Sequence, residues 1–256
     1  MWKKGLLVFV LLAIIGAFGI QLAVTRYYEN TRDPAFFEDA IVAFEDADRS
    51  SPPEPGAIVF VGSSSIRFWN SLESDMNPLP VLERGFGGAH MEHVLHNADR
   101  IITPYAPRAV VVYAGDNDLA KRSEKTPEVV VDQFQQLITK LRAQQSQLPI
   151  YFITIKPSPR RWDRWSEMKR TNQAIQKLAR DDPKLTVLDI ASPMLGPGET
   201  EPPSELFALD GLHLSEAGYA SWTAVIRPTL HSDLGVSEKA PSENLDSESS
   251  NHTQSD

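Results

Sequence analysis

Five short runs of apolar, mostly β-branched residues punctuate the chain at 57–61, 80–82, 109–113, 150–155 and 185–188. Near-continuous apolar runs of this length suit strands covered on both faces, as in a parallel sheet. Between them the pattern changes to a helical period. Asp33-Pro34 reads as a cap with proline at the first helical position, leading into Phe37, Ile41 and Phe44. Thr126-Pro127 opens a second helix, with Val130, Phe134, Leu137, Ile138 and Leu141 on one stripe. Residues 165–180 and 217–230 read as two more. Strands alternating with helices predict an α/β three-layer sandwich.

The ends follow other patterns. Residues 5–24 carry no charge and one clearly polar side chain, Gln21. A helix of twenty residues rises ~30 Å, the hydrocarbon thickness of a bilayer. Lys3 and Lys4 precede it, so the positive-inside tendency sends the rest of the chain across the membrane. The alternative is a cleaved signal peptide, whose apolar region is shorter and ends in a small-residue cleavage pattern. The reading adopted is a single-pass signal anchor within residues 1–29 and an extracytoplasmic domain over 30–234, periplasmic or extracellular. Residues 235–256 form an acidic tail with too little apolar surface to offset the cost of ordering.

Composition narrows the chemistry. A formal net charge of −9 argues against a general nucleic-acid binder. With no cysteine there is no disulfide, thiolate metal site or cysteine nucleophile. Oxygen and nitrogen groups remain.

In open α/β sheets, sites form at the carboxyl ends of strands. The first run exits into Gly62-Ser63-Ser64-Ser65, where a serine at a helix start sits among free N–H groups. Taken alone, a small-residue turn with a serine cap is the plainer reading. The second exits into Gly85-Phe86-Gly87-Gly88, a plain turn or a loop with exposed N–H groups. The third exits into Gly115-Asp116-Asn117-Asp118, whose amide suits an oxyanion and whose composition suits any turn. Before the last helix stands Asp210-Gly211-Leu212-His213. There a carboxylate can fix the imidazole tautomer and leave the other nitrogen as a base; a helix start with an incidental histidine is the plainer reading.

Taken in order, these four blocks resemble the SGNH hydrolases, the GDSL lipase/esterase superfamily, over residues ~55–230. The resemblance implies a flavodoxin-like, five-stranded parallel sheet ordered 2-1-3-4-5. It also implies an esterase, here carried by the membrane anchor read at residues 5–24, with Ser64 as nucleophile, His213 as general base and Asp210 orienting it. Ser64 N–H, Gly88 N–H and the Asn117 amide would form the oxyanion hole, with no metal or organic cofactor. Ser63 stands where the superfamily usually has aspartate, which keeps Ser63 and Ser65 open as the reactive hydroxyl.

Arg67, His90 and Arg160 are candidate substrate-binding residues, and a cationic pocket would select anionic esters. His90, His93 and His96 spread over ~120° of a helix and converge poorly on a metal. Expected partners are a small ester, a lipid or an acylated glycan, and the membrane; nucleic acid is not expected. A lysophospholipase, a polysaccharide O-deacetylase or acyltransferase, and a non-catalytic binding module are the alternatives on the same scaffold.

Overall fold

All five apolar runs become parallel strands: β1 (Ile58–Gly62), β2 (Val81–Gly85), β3 (Ala109–Tyr113), β4 (Ile150–Ile153) and β5 (Leu185–Leu188), in a computed structural model that describes residues 2–235 except Arg32 and Glu124. Their order is β2-β1-β3-β4-β5, as expected. Alternation along each strand sends side chains to opposite faces. Val59, Val61, Val110, Val112, Ile150 and Phe152 build one core, and Ile58, Phe60, Val111, Tyr113, Tyr151 and Ile153 the other. Full burial of such a side chain contributes ~1.5–3 kcal/mol, so both faces must be covered.

In chain order the helices are α1 (Trp2–Asn30), α2 (Glu38–Ser50), α3 (Ser64–Arg67), α4 (Leu72–Met76), α5 (Met91–Ile101), α6 (Pro127–Gln144), α7 (Trp165–Arg180), α8 (Ala191–Met194) and α9 (Glu216–Asp233). Ile41 of α2, Val94 of α5, Phe134 of α6 and Ile175 of α7 join the first core. Ile66 of α3, Leu72 of α4, Met194 of α8 and Trp222 of α9 join the second. The result is the three-layer α/β sandwich.

Three boundaries differ from the pattern. β2 extends to Gly85, through two charged residues that the hydrophobic signal stops short of. Buried Arg84 is neutralised by Asp48 and donates to Tyr105 Oη at 2.8 Å, which lets a charged residue sit in a strand. β4 ends two residues early because the Ile155 N–H leaves the ladder for Asn172 Oδ1, at 2.7 Å. Helix α2 starts at Glu38, after a turn in which Asp33 Oδ1 accepts from the Ala35 N–H.

The stretch expected to span a membrane is helical, within α1. No helix among the described residues is long and apolar enough to cross a membrane. The expected tail lies, beyond Gly235, outside the described residues.

Candidate active site

Residues from four strand exits and the turn before α9 meet at one end of the sheet. Gly62 closes β1 at a φ of +148°, and a Cβ there would lie 1.9 Å from the Tyr113 carbonyl oxygen. Only glycine lets β1 run this close to β3 and then turn. The Ser63 N–H donates to that carbonyl at 3.0 Å, and Ser64 opens α3, whose first N–H groups have no partner within the helix.

The loop after β2 is tied to the same turn. Its Phe86 N–H donates to the Gly62 carbonyl at 3.0 Å, while the Phe86 ring is buried against Phe37. This brings Gly88, at a φ of +85°, to the pocket. After β3, Asn117 Nδ2 donates to the Ala89 carbonyl at 3.0 Å, and its Oδ1 accepts from Arg161 Nη2 at 2.8 Å.

The Asp210–His213 turn is self-bonded. Asp210 Oδ1 accepts from the Leu212 and His213 N–H groups at 2.9 and 3.0 Å, and Oδ2 lies 2.5 Å from His213 Nδ1. Burial pushes the Asp210 carboxyl up, but these donors outweigh it and hold it at about 2. An ionised Asp210 makes Nδ1 the protonated nitrogen and turns the lone pair of Nε2 outward. That nitrogen lies 3.0 Å from Ser64 Oγ. The cap of α9 is Ser215, whose Oγ accepts from the Gly218 N–H, so His213 is free of helix duties.

The structure therefore brings together Ser64, Asp210, His213, Gly88 and Asn117. Of the three serines, Ser64 is the one that meets the imidazole. Ser65 Oγ is buried 3.1 Å from Lys156 Nζ, and Ser63 Oγ is buried without a hydrogen-bond partner. Ser64, Phe68, Gly88, His90, Asn117, Arg161 and His213 line a pocket of about 300 Å³.

The substrate-binding candidates are scattered. His90 lines the pocket and is held neutral, its pKa lowered to about 4 by burial and then by the Lys125 charge. Arg160 lines an adjoining cleft instead, and its backbone N–H donates to the Gly211 carbonyl. Arg67 lines neither; it is exposed and reaches over Gly87. His90, Glu92 and His93 do present donor atoms within 4.8 Å of one another, while His96 is exposed. The Lys125 ammonium sits among the cluster, 2.7 Å from Glu92 and 3.2 Å from both His90 Nδ1 and Asp118, as a built-in cation.

Sequence reasoning missed Arg161 and Lys156. Both converge on Asp116 at 3.1 Å beneath Asn117. Burial pushes the Asp116 carboxyl up, but the two charges outweigh it and hold it at about 2; burial pulls the Lys156 ammonium down. Neither residue carries a local signal. Both lie in the stretch after β4, and which of its arginines turns inward depends on packing.

Residues 60–221 match the model of the GDSL-like lipase/acylhydrolase family. No curated protein matches the chain. Among solved structures, a protein from Streptococcus pneumonia provisionally called a platelet activating factor superposes with a TM-score of 0.69 at 20% identity, over 84% of this chain and 99% of its own. A GDSL-like lipase from Bacteroides thetaiotaomicron does so with 0.64 at 17%, over 76% and 98%. A carbohydrate esterase family 3 protein from Talaromyces cellulolyticus gives 0.57 at 14%, over 72% and 100%.

Proposed function

From the premise that the chain belongs to the GDSL-like lipase/acylhydrolase family, enzymes acting on carboxylic esters, we propose a membrane-anchored serine esterase with Ser64 as its nucleophile. One observation carries this reading. Residues 149 apart in the chain put His213 Nε2 3.0 Å from Ser64 Oγ, while the same ring meets Asp210 at 2.5 Å. That is the nucleophile–base–orienter relation of acyl transfer through a covalent intermediate.

In this mechanism His213 takes the Ser64 proton as Oγ attacks the ester carbonyl. The tetrahedral oxyanion accepts from the N–H groups of Ser64 and Gly88 and from Asn117 Nδ2. Collapse expels the alcohol, protonated by His213, and leaves an acyl-serine. Water, deprotonated by His213, then releases the acid. Each proton is carried by His213, and no step calls for a metal or organic cofactor.

The anchor is the uncharged stretch 5–24 of α1. Phe9, Leu12, Ile14, Ile15, Phe18 and Ile20 are each more than half exposed along it, an apolar surface that lipid covers better than water. Lys3 and Lys4 favour the cytoplasm for the preceding end, which sets the esterase domain on the extracytoplasmic side. The carbohydrate esterase among the fold relatives supports a second substrate class, acylated glycans.

The test is labelling of the full chain, in detergent, with a fluorophosphonate, followed by peptide mass spectrometry. The expected result is an adduct on Ser64 that is absent in Ser64→Ala and lost in His213→Ala. No adduct on the folded protein would falsify the esterase reading and leave a binding module; an adduct on Ser63 or Ser65 rejects the assigned nucleophile.

A further inference from the structure

The mouth of the pocket and the end of α1 are one place. Thr31, directly after the last residue of α1, is 2% exposed and lines the pocket beside Ser64 and His213. It lies seven positions beyond Val24, where the uncharged stretch ends; at the helical rise this is ~10 Å, enough to cross the headgroup layer.

Beside the pocket lies a larger cleft of about 790 Å³, which shares Ala120, Arg161 and Leu212 with it. One wall is apolar, from Ala23 and Val24 of α1. The other carries Lys121, Arg122, Arg160, Arg161 and Arg164 against a single acid, Asp163. A chain with nine more acidic than basic residues has gathered five cations here. Arg161 is engaged by Asp116, and Arg164 by Glu167 at 3.0 Å. Among the described residues no carboxylate pairs with Lys121 or Arg160, and both are exposed. The same mouth shows apolar side chains to solvent. Leu209, next to Asp210, is wholly exposed, and Phe68 is 44% exposed with its ring 5.0 Å from that of His213.

We propose that this cleft is a subsite for the anionic headgroup of a membrane phospholipid, and that the ester cleaved at Ser64 belongs to such a lipid in the bilayer that holds α1. The inference rests on the anchored-esterase reading and adds the substrate class. Lys121 and Arg160 receive the net negative charge of the headgroup, which a zwitterionic headgroup offsets with its own ammonium. Leu209 and Phe68 meet the acyl region, and the glycerol ester reaches Ser64 across the boundary shared by cleft and pocket. A soluble anionic ester offers the same charge to Lys121 and Arg160 but nothing to α1, Leu209 or Phe68.

The experiment reconstitutes the full chain in phosphatidylcholine vesicles and compares kcat/KM for lysophosphatidylglycerol and lysophosphatidylcholine, with p-nitrophenyl acetate and a soluble p-nitrophenyl ester bearing a carboxylate as further substrates. The expected result is a preference of about tenfold or more for the anionic lipid. It falls to less than about threefold in the double variant Lys121→Gln/Arg160→Gln. The ratio is taken within each protein, so a general loss of activity cancels. Equal rates on the two lipids, or a preference that survives the double variant, overturns the subsite while hydrolysis of p-nitrophenyl acetate keeps the esterase. A carboxylated soluble ester turned over as well as the anionic lipid overturns the membrane source. Inactivity on all four esters overturns the esterase reading and this one together.

Discussion

Arg161 Nη2 donates to Asn117 Oδ1 at 2.8 Å while Asn117 Nδ2 donates to the Ala89 carbonyl at 3.0 Å, and the two bonds together fix the orientation of the amide. Oxygen is claimed by the guanidinium, so Nδ2 is the donating end, with one N–H on the Ala89 carbonyl and a second N–H to offer an oxyanion. Asp116 holds Arg161 in turn, with Lys156 completing a buried charge cluster behind the site. The amide is therefore held by an arginine that lines the pocket and is itself anchored by the buried Asp116 behind it.

Asn117→Ala is expected to lower kcat by about 10²–10³-fold, the usual effect of removing one oxyanion donor. Arg161→Met keeps the amide and its bond to the Ala89 carbonyl but removes the hold on its oxygen, and should cost on the order of 10-fold in kcat. Steady-state kinetics on p-nitrophenyl acetate checks both; an Arg161→Met enzyme as fast as the parent rejects the orienting role.

Asp210→Asn replaces an acceptor that fixes the His213 tautomer with a group that can donate to the same nitrogen. The expected effect is a fall of about 10²–10⁴-fold in kcat with KM little changed. A loss confined to KM would show that Asp210 shapes the pocket and does not serve the base.

Asp116→Asn leaves Lys156, 1% exposed, without its carboxylate. Breaking a buried pair in this way costs about 3–5 kcal/mol, to be read by chemical denaturation at neutral pH. The pH dependence has a definite sign. The folded Asp116 pKa of about 2 lies below the ordinary carboxylate value of 3.8. Its contribution is therefore present above about pH 4 and lost as pH falls towards 2. Thermal melts over that window should fall less steeply for Asp116→Asn than for the parent, and parallel slopes would reject the assignment.

Gly62→Ala sets a methyl group 1.9 Å from the Tyr113 carbonyl oxygen, a backbone atom in the centre of the sheet. Because β1 and β3 cannot separate without breaking their ladder, the cost should exceed about 4 kcal/mol, beyond the ordinary range for a point mutant. A denaturation midpoint within error of the parent would mean that the turn relaxes, and the close approach is not required.

The strands were legible because their signal is local: β-branched runs such as 109–113 become buried strands wherever both faces are covered. Sheet order followed from the resemblance. β2 was legible only at its apolar start, since a buried Arg84 depends on Asp48 and Tyr105, 36 and 21 residues away. The three serines after β1 were indistinguishable in one dimension. Their hydroxyls diverge only once the turn is folded, with Ser64 towards His213 and Ser65 towards Lys156.

The sequence by itself determined the α/β class, the four strand-exit blocks, and the family they resemble. All of these are written in local period and spacing, which short-range sterics and burial read directly. Tertiary structure alone decided that Arg161 and not Arg160 faces Asn117, that Lys156 lies buried beneath the site, and that α1 ends at the mouth of the pocket. Those facts are meetings between residues distant in the chain. They arise from how the layers pack, and packing has no signature in any single stretch of sequence.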